Sequence, residues 1–248
     1  MKNRINDYDK FAFYYDVLTS QVDYDLWFDY LYRISGMDNG GKNAVLDLGC
    51  GTGELMEKFC SAGCSCVGVD LSEEMLALCD AALYGNGYDY FLTKGKMQDF
   101  KIQKKFDFIY SACDSVNYLS EEEFAKLLEN VLSMLKNGGV FTFDMLSADF
   151  FGGADNSEIA EDADMKMYIE RKMRENRLFT QIKICRGDGE EELEFVQNIF
   201  SVENLKKMFV KYEKEYIMHM HSFLSLSENE SRTDKIQVVV KRIEKKLK

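Results

Sequence analysis

The feature that most constrains the fold is an apolar strand that leads directly into three alternating glycines. The segment reads VLDLGCGTG at positions 45–53, and an amphipathic stretch with helical spacing follows it. Glycines at positions 49, 51 and 53 let the backbone pass close to a ligand and adopt conformations that a Cβ atom would forbid. The turn also presents the unpaired N–H groups of a helix start. The segment therefore predicts a strand, a turn and a helix, with a ligand bound at the carboxyl end of the strand.

The spacing of the glycines narrows the class of ligand. Dinucleotide-binding turns need G-x-G-x-x-G, whereas position 54 here is Glu54, which would set a carboxylate against a pyrophosphate. Asp47 lies inside the motif, and Asp70 ends the next apolar run, 21 residues after Gly49. An acid at this second position can accept hydrogen bonds from both hydroxyls of a ribose, and Asp47 suits a cationic amine. These residues favour a phosphate-free nucleoside that carries an amine, and S-adenosylmethionine meets that description.

Short apolar runs alternate with amphipathic stretches between positions 44 and 144, a pattern typical of a parallel sheet covered by helices on both faces. Ser72 and Ser120 are predicted helix N-caps, and Glu123 completes a capping box with Ser120. Aromatic residues at helical spacing predict two more helices within residues 1–35. The predicted strands span 44–48, 66–69, 88–93, 106–111 and 140–144, and the predicted helices span 54–62, 72–84 and 120–135.

The alternation ends after position 144. Residues 147–164 are predicted to form a polar loop or an irregular acidic segment, and residues 201–211 a helix. The remaining predicted strands span 165–171, 178–185, 192–200, 212–220 and 235–243, and the first three of these indicate a small antiparallel insertion. We expect an α/β fold, a Rossmann-like, doubly wound, seven-stranded and mostly parallel sheet with this antiparallel β insertion and an N-terminal helical cap. The single expected domain divides into the cap at 1–40, the cofactor-binding core at 41–146, the insertion at 147–200 and the C-terminal part of the sheet at 201–248.

Composition excludes several classes of protein. The chain has 248 residues, of which 46% are hydrophobic, so it can bury a sizeable core and is not a disordered chain. Its 31 basic and 43 acidic side chains give a net charge of −12, which disfavours nucleic acids and anionic membranes as partners. No stretch approaches the roughly 18 apolar residues of a membrane span, so we expect a cytoplasmic location. Seven cysteines suit reduced thiols, and the group Cys60, Cys64 and Cys66 has no nearby histidine, so no metal site is expected.

Taken together, these motifs resemble those of the class I S-adenosylmethionine-dependent methyltransferases, especially the small-molecule branch in which an aromatic N-terminal helical cap precedes the sheet. The resemblance covers nearly the whole chain. Its carriers are YDKFA at 8–12, YD at 15–16, DY at 23–24 with Trp27, VLDLGCGTG at 45–53, GVDLSEEML at 68–76, CDSVNYL at 113–119, LKNGG at 135–139 and FD at 143–144. Two positions depart from the family pattern. Lys96 stands where an acid usually precedes the methionine of the adenine segment, and VQN at 196–198 replaces a His-Gln-Arg-like run.

The resemblance implies S-adenosyl-L-methionine as the cofactor and assigns its contacts. The methionine part would meet Asp47 and the glycine turn. Asp70 would hold the ribose, and Leu71 and Met75 would flank the adenine. The implied cofactor-binding residues are Tyr15, Asp47, Gly49, Cys50, Gly51, Gly53, Asp70, Leu71, Met75, Met97, Gln98, Ser111 and Cys113.

The resemblance also implies the reaction, which is transfer of a methyl group to a nitrogen or oxygen nucleophile of a small molecule by in-line displacement. Such a reaction needs alignment and exclusion of water, and only a hydroxyl acceptor would want a general base. Tyr15 and Asp114 are the candidate catalytic residues, in a positioning role. The candidates for substrate contact are Tyr24, Trp27, Asn117, Gln197 and His219. The expected partner is the small-molecule substrate, and the protein is expected to be a monomer or a homodimer.

Two other functions remain open on the sequence. An NAD-dependent oxidoreductase would share the strand–turn–helix unit, but Glu54 and the charged Asp47 disfavour it because they lie where phosphates would bind. A non-catalytic binding protein could retain the same fold. Binding of S-adenosylmethionine, of NAD or of neither would separate the three.

Overall fold

The computed structural model describes residues 4–38, 41–147, 155–162, 164–225 and 235–244. The helices are α1 Arg4–Leu18, α2 Tyr24–Ser35, α3 Glu54–Ser61, α4 Glu73–Leu83, α5 Glu121–Met134 and α6 Val202–Phe209. The strands are β1 Ala44–Leu48, β2 Ser65–Asp70, β3 Tyr90–Lys94, β4 Phe106–Ser111, β5 Leu135–Leu146, β6 Asn156–Asp162, β7 Met165–Arg174, β8 Arg177–Arg186, β9 Gly189–Asn198, β10 Tyr216–Ser222 and β11 Lys235–Arg242. Short 3₁₀ turns span Ser115–Tyr118 and Val210–Tyr212. None of the helices in the described segments is long and apolar enough to cross a bilayer.

The central sheet contains seven of the described strands in the order β10-β11-β5-β4-β1-β2-β3. Its first five strands in chain order run parallel, whereas β11 pairs antiparallel with β5, and β10 pairs antiparallel with β11. All five residues of β1 are buried, because α5 packs on one face of the sheet and α2 and α3 pack on the other. This architecture confirms the predicted α/β class.

Local capping chemistry explains where helices α4 and α5 begin. The hydroxyl of Ser72 accepts a hydrogen bond from the Met75 N–H at 3.2 Å, which starts α4. Ser120 and Glu123 form the predicted capping box, with bonds of 3.2 and 2.9 Å. Each such cap satisfies N–H groups that have no partner inside the helix, and this stabilises the helix by about 1 kcal/mol.

The second sheet corrects the prediction of a loop over 147–164. Its order is β6-β7-β8-β9 with antiparallel pairing throughout, and β6 occupies Asn156–Asp162; positions 148–154 and 163 of the predicted loop lie outside the described residues. β6 is an edge strand, and its Ile159 is 61% exposed. Because hydrogen bonds to β7 define this strand rather than burial of one face, its sequence lacks the alternation that marks a half-buried strand.

The glycine pair before position 140 forms a bulge inside β5 rather than a loop between helix and strand. Phe106 pairs with Leu135, but Phe108 already pairs with Val140, so residues 136–139 have no partners in the register. Gly138 takes φ +77° there, a conformation that glycine adopts without steric cost. β5 therefore begins five residues earlier than predicted.

The N-terminal cap and the insertion sheet share a core above the carboxyl edge of the central sheet. Phe11 and Ala12 of α1 are buried in one cluster with Met167 and Ile169 of β7 and Phe195 of β9. The ring centroids of Phe11 and Phe195 are 5.2 Å apart. Burial of these side chains holds α1 against the insertion sheet. The two elements together cover the carboxyl edge of the central sheet.

Gly68, in the middle of β2, has no room for a side chain. An added Cβ would lie 2.7 Å from Cδ2 of Leu92 and 2.8 Å from Sδ of Met56. We expect Gly68→Ala to lower the free energy of unfolding by about 1–3 kcal/mol through overpacking, as measured by urea denaturation. Gly95→Ala is the matched control, since its Cβ would meet only Cγ1 of Val69 at 3.9 Å. Equal losses in the two variants would contradict this packing argument.

Candidate active site

Two adjoining cavities lie at the carboxyl edge of the central sheet. The larger encloses about 610 Å³ and extends from the end of β2 to the insertion sheet. The smaller encloses about 30 Å³ and is lined by Asp47 and the glycine turn. Tyr15, Gly49, Gly51 and Cys113 line both cavities, so these four residues mark the junction between them.

The glycine turn needs glycine both for its backbone and for space. Gly49, Gly51 and Gly53 have φ values of +83°, +54° and +93°, which other residues adopt only at a cost. A Cβ on Gly53 would lie 2.5 Å from Sγ of Cys79, and one on Gly49 would lie 3.1 Å from Oγ of Ser115. A side chain at Gly49 or Gly53 would therefore collide with neighbouring protein atoms, so this path of the turn requires glycine.

Asp70 is held by two backbone donors at the end of β2. Its carboxylate accepts hydrogen bonds from the N–H groups of Gly51 and Ser72, both at 2.9 Å. Burial raises the pKa of Asp70, although these backbone donors oppose the rise. Because a carboxylate offers about four lone-pair positions, Asp70 can accept further hydrogen bonds from a ligand in the larger cavity that it lines.

Asp47 is a buried carboxylate with one strong donor. The hydroxyl of Tyr110 donates to its Oδ2 at 2.6 Å, and the residue is 3% exposed. Burial raises the pKa of Asp47 to about 7, and the Tyr110 hydrogen bond limits the rise. A cationic amine bound beside Asp47 would favour its charged form, so the smaller cavity suits an ammonium group.

The loop after β4 carries backbone strain at the junction. Cys113 and Asp114 have φ values of +56° and +47°, and a non-glycine residue in such a conformation costs of order 1–3 kcal/mol.

Burial raises the pKa of the Tyr15 hydroxyl well above its ordinary value, with a further contribution from Cys113. Tyr15 therefore stays protonated at neutral pH and can donate a hydrogen bond at the junction.

An ion-pair cluster holds this strained loop in place. The N–H of Asp114 donates to Oδ2 of Asp144 at 2.9 Å, and the side chain of Asp114 accepts from both Lys235 and Gln197. Nζ of Lys235 also lies 3.4 Å from Oδ2 of Asp144. Burial alone would raise the pKa of Asp114, but the Lys235 ammonium brings it below the ordinary value. Lys235 of β11 and Gln197 of the insertion sheet thus both donate to the carboxylate of Asp114.

Comparisons with known proteins agree with this geometry. A family model described as a methyltransferase domain matches residues 45–139. The solved structure of an S-adenosylmethionine-dependent methyltransferase from Clostridium acetobutylicum superposes with a TM-score of 0.81 and 27% identity, and the match covers 96% of this chain and 99% of that one. The chain therefore contains a methyltransferase domain, and its fold is similar to that of a solved S-adenosylmethionine-dependent methyltransferase.

Curated relatives of this chain match over part of their length. A Geobacillus sp. (strain WCH70) protein named "Putative methyltransferase" is 34% identical over 142 residues, which is 56% of this chain and 58% of that protein. A dTDP-3-amino-3,4,6-trideoxy-alpha-D-glucopyranose N,N-dimethyltransferase from Streptomyces venezuelae is 34% identical over 99 residues, 40% of each chain. The match therefore spans little more than half the length of the first of these proteins.

The methyltransferase cofactor, S-adenosylmethionine, fits the residues at the carboxyl edge. Nothing lies within 4 Å of the position that a Cβ on Gly51 would take, so the backbone of the turn is open at that point. Asp70 offers lone pairs to ribose hydroxyls, and Asp47 offers a buried carboxylate to an ammonium. Carboxylates in both places, with no basic residue in the turn, suit a cofactor that bears an amine and a sulfonium rather than phosphates.

The structure brings thirteen of the predicted site residues to the two cavities and places six elsewhere. The thirteen that line a cavity are Tyr15, Tyr24, Trp27, Asp47, Gly49, Cys50, Gly51, Gly53, Asp70, Met75, Cys113, Asp114 and Gln197. The six that do not are Leu71, Met97, Gln98, Ser111, Asn117 and His219. The side chain of Gln98 donates to Glu123 of α5 at 3.0 Å, and that of Ser111 donates to the Leu48 carbonyl at 2.7 Å, so both have partners within the protein.

Two residues predicted to contact substrate have other surroundings. Asn117 is fully buried, and its amide bonds the backbone of Leu146 in both directions and the carbonyl of Asn198. It therefore ties the loop after β4 to the ends of β5 and β9. His219 is exposed on β10, an edge strand of the sheet, beside His221. Neither placement supports substrate contact.

Several residues that line the larger cavity carried no signal in the sequence. They include Phe223 after β10, Arg171 on β7 and Lys235 at the start of β11. Lys235 is 121 residues from Asp114 along the chain. Only the antiparallel pairing of β11 with β5 brings the two together, so a local motif could not have indicated this contact.

Proposed function

We propose that this protein transfers a methyl group from S-adenosylmethionine to a nitrogen or oxygen atom of a small-molecule acceptor bound in the larger cavity. The observation that carries the proposal is the junction of the two cavities at Tyr15 and Cys113. A cofactor held by Asp47 and Asp70 and an acceptor beneath the insertion sheet would meet there. The cap at 1–40 and the insertion at 147–200 would close the acceptor side.

The residues of this chain would supply orientation and exclusion of water. S-adenosylmethionine, when bound, supplies a methyl group on a positively charged sulfur that is already a good electrophile. Aromatic side chains of the cap and the insertion, among them Tyr8, Phe11 and Phe195, line the larger cavity and would keep water from it. The protonated Tyr15 hydroxyl and the fixed loop at Cys113 and Asp114 would hold the acceptor in line with the methyl group.

The character of the lining groups favours nitrogen over oxygen as the acceptor atom. A neutral amine attacks without a base, whereas a hydroxyl wants a general base with a pKa near the working pH. The described residues that line the larger cavity include no histidine. Asp114, the carboxylate next to Cys113, has a lowered pKa and is a weak base. The relative named as an amino-sugar N,N-dimethyltransferase is in keeping with this preference.

Calorimetric titration tests the proposal against its two alternatives. We expect micromolar binding of S-adenosylmethionine and S-adenosylhomocysteine and no binding of NAD. With a panel of small amines and matched alcohols, we expect formation of S-adenosylhomocysteine, detected by mass spectrometry, with amines only. Binding of NAD instead would support an oxidoreductase, and binding of neither ligand would support a non-catalytic protein.

A further inference from the structure

A polar row crosses the insertion sheet on the side that faces the larger cavity. Asn156 of β6 pairs with Arg171 of β7, Arg171 pairs with Thr180 of β8, and Thr180 pairs with Phe195 of β9. Residues paired directly across strands point to the same face of a sheet. All four of these residues line the larger cavity, so the register places a guanidinium between an amide and a hydroxyl on its wall.

The middle of this inner face is apolar, although Glu158, Glu191 and Gln197 share the face. The neighbouring row consists of Ile169, Ile182 and Leu193, which are 1–3% exposed and belong to the core shared with α1. A charged side chain beside such a row carries a desolvation cost unless it has a partner. The position of Arg171 in a cavity wall therefore indicates that its charge needs a partner.

Arg171 has one hydrogen-bonded partner, which is weak, and it also interacts electrostatically with Asp114, whose pKa it helps to lower. Nη1 of Arg171 donates to Oε2 of Glu158 at 2.8 Å, and the Glu158 side chain is 53% exposed on the edge strand. Solvent-exposed ion pairs contribute about 0–1 kcal/mol, so a ligand anion can replace Glu158 at little cost. Lys235, another cation of the cavity wall, is held instead by Asp114 and Asp144.

We propose that the acceptor carries an oxyanion, a carboxylate or a phosphate, and that Arg171 binds it with support from Asn156 and Thr180. The inference rests on the proposed function, because it concerns the acceptor side of the same cavity. A guanidinium presents five N–H donors in a planar fork that matches two oxygens of a carboxylate or phosphate. The amide of Asn156 and the hydroxyl of Thr180 add donors on either side of the fork.

The test titrates simple anions into protein that has been saturated with S-adenosylhomocysteine. Pyrophosphate and inorganic phosphate form one arm, and glutarate and succinate form the other, so the preferred arm identifies the class of oxyanion. We expect at least one of these probes to bind the wild type. Arg171→Gln should weaken that binding by about tenfold or more, since a charge-assisted pair contributes upwards of about 1.4 kcal/mol.

Three further variants separate a binding role from a structural one. Lys172→Gln removes the same charge from the next position of β7, where the side chain pairs with Glu170 outside the cavity, and should leave binding within about twofold. Glu158→Gln should tighten binding severalfold, because it removes the competing carboxylate. Arg171→Lys keeps the charge without the fork and should give intermediate affinity; it also serves as the test variant if Arg171→Gln does not fold.

The outcomes also separate this inference from the proposed function. Binding of S-adenosylhomocysteine without binding of any anion would overturn the inference and leave the methyltransferase proposal intact. Equal losses in Arg171→Gln and Lys172→Gln would overturn the inference too, since they would indicate a general field effect. Failure to bind S-adenosylhomocysteine itself would instead overturn the proposed function.

Discussion

Asp70→Asn is expected to weaken the binding of S-adenosylhomocysteine by about 10- to 100-fold, because each hydrogen bond to a charged group contributes about 1.5–3 kcal/mol. The carboxylate already accepts from the N–H groups of Gly51 and Ser72. An amide at this position would turn an NH₂ group toward one of these donors and would lose acceptor capacity toward a ribose. The substitution should therefore weaken the hydrogen bonds to the cofactor and also those that hold the glycine turn.

Calorimetry with S-adenosylhomocysteine measures this change. Asp89→Asn is the matched control, because Asp89 is exposed and lies outside both cavities, and it should leave the dissociation constant unchanged. Circular dichroism confirms that each variant is folded. An unaltered affinity in folded Asp70→Asn would contradict the assignment of this residue to the ribose.

Lys235→Met is expected to lower the free energy of unfolding by about 3 kcal/mol at pH 7, because removal of one member of a buried ion pair leaves its partners without a counter-charge. The side chains of Asp114 and Asp144 are 18% and 1% exposed. The strained loop at Cys113 would also lose its anchor on β11. We therefore expect turnover to fall more than tenfold while the dissociation constant of S-adenosylhomocysteine changes little, since the cofactor carboxylates lie elsewhere.

The stability loss should depend on pH with a definite sign. In the wild type, Lys235 lowers the pKa of Asp114 in the folded state, so this stabilisation is present above the unfolded pKa near 4 and is lost as pH falls. In Lys235→Met, burial raises the pKa of both Asp114 and Asp144. Protonation of these carboxylates as pH falls below 7 therefore reduces the stability loss of the variant. Urea denaturation at pH 7 and pH 5 should show a smaller difference at pH 5.

The control for Lys235 is a lysine in an exposed ion pair. Lys126→Met breaks a contact with Asp99 in which both side chains are at least half exposed, and it should lower the free energy of unfolding far less than Lys235→Met does. The double variant Lys235→Met with Asp114→Asn should regain part of the lost stability, because one unpaired carboxylate is then neutral. A pH-independent loss, or no recovery in the double variant, would refute the buried-pair argument.

Elements with strong local signals were predictable from the sequence. The glycine turn, the caps at Ser72 and Ser120 and the strand ending at Asp70 all depend on residues within a few positions of one another. Their placement at one edge follows because parallel strands end on the same side of a sheet. Tyr15 and Trp27 also reached the cavity walls as the resemblance implied.

The errors fell where local pattern and tertiary context differ. β6 has no alternating pattern because it is an edge strand held by hydrogen bonds to β7. Asn117 has the polarity of a ligand-binding residue, but it is fully buried and satisfies the backbone of two strand ends. His219 is exposed on an edge strand and lines neither of the two cavities described above.

By itself the sequence determined the carboxyl edge of the central sheet, because glycine conformations, helix caps and strand-end carboxylates act over a few residues. Only the tertiary structure decided the acceptor side. The pairing of β11 with β5 brings Lys235 to Asp114, and the register of the insertion sheet brings Arg171 between Asn156 and Thr180. The physical reason is that these contacts depend on strand register and on packing between segments distant in the chain, and no short-range preference encodes either.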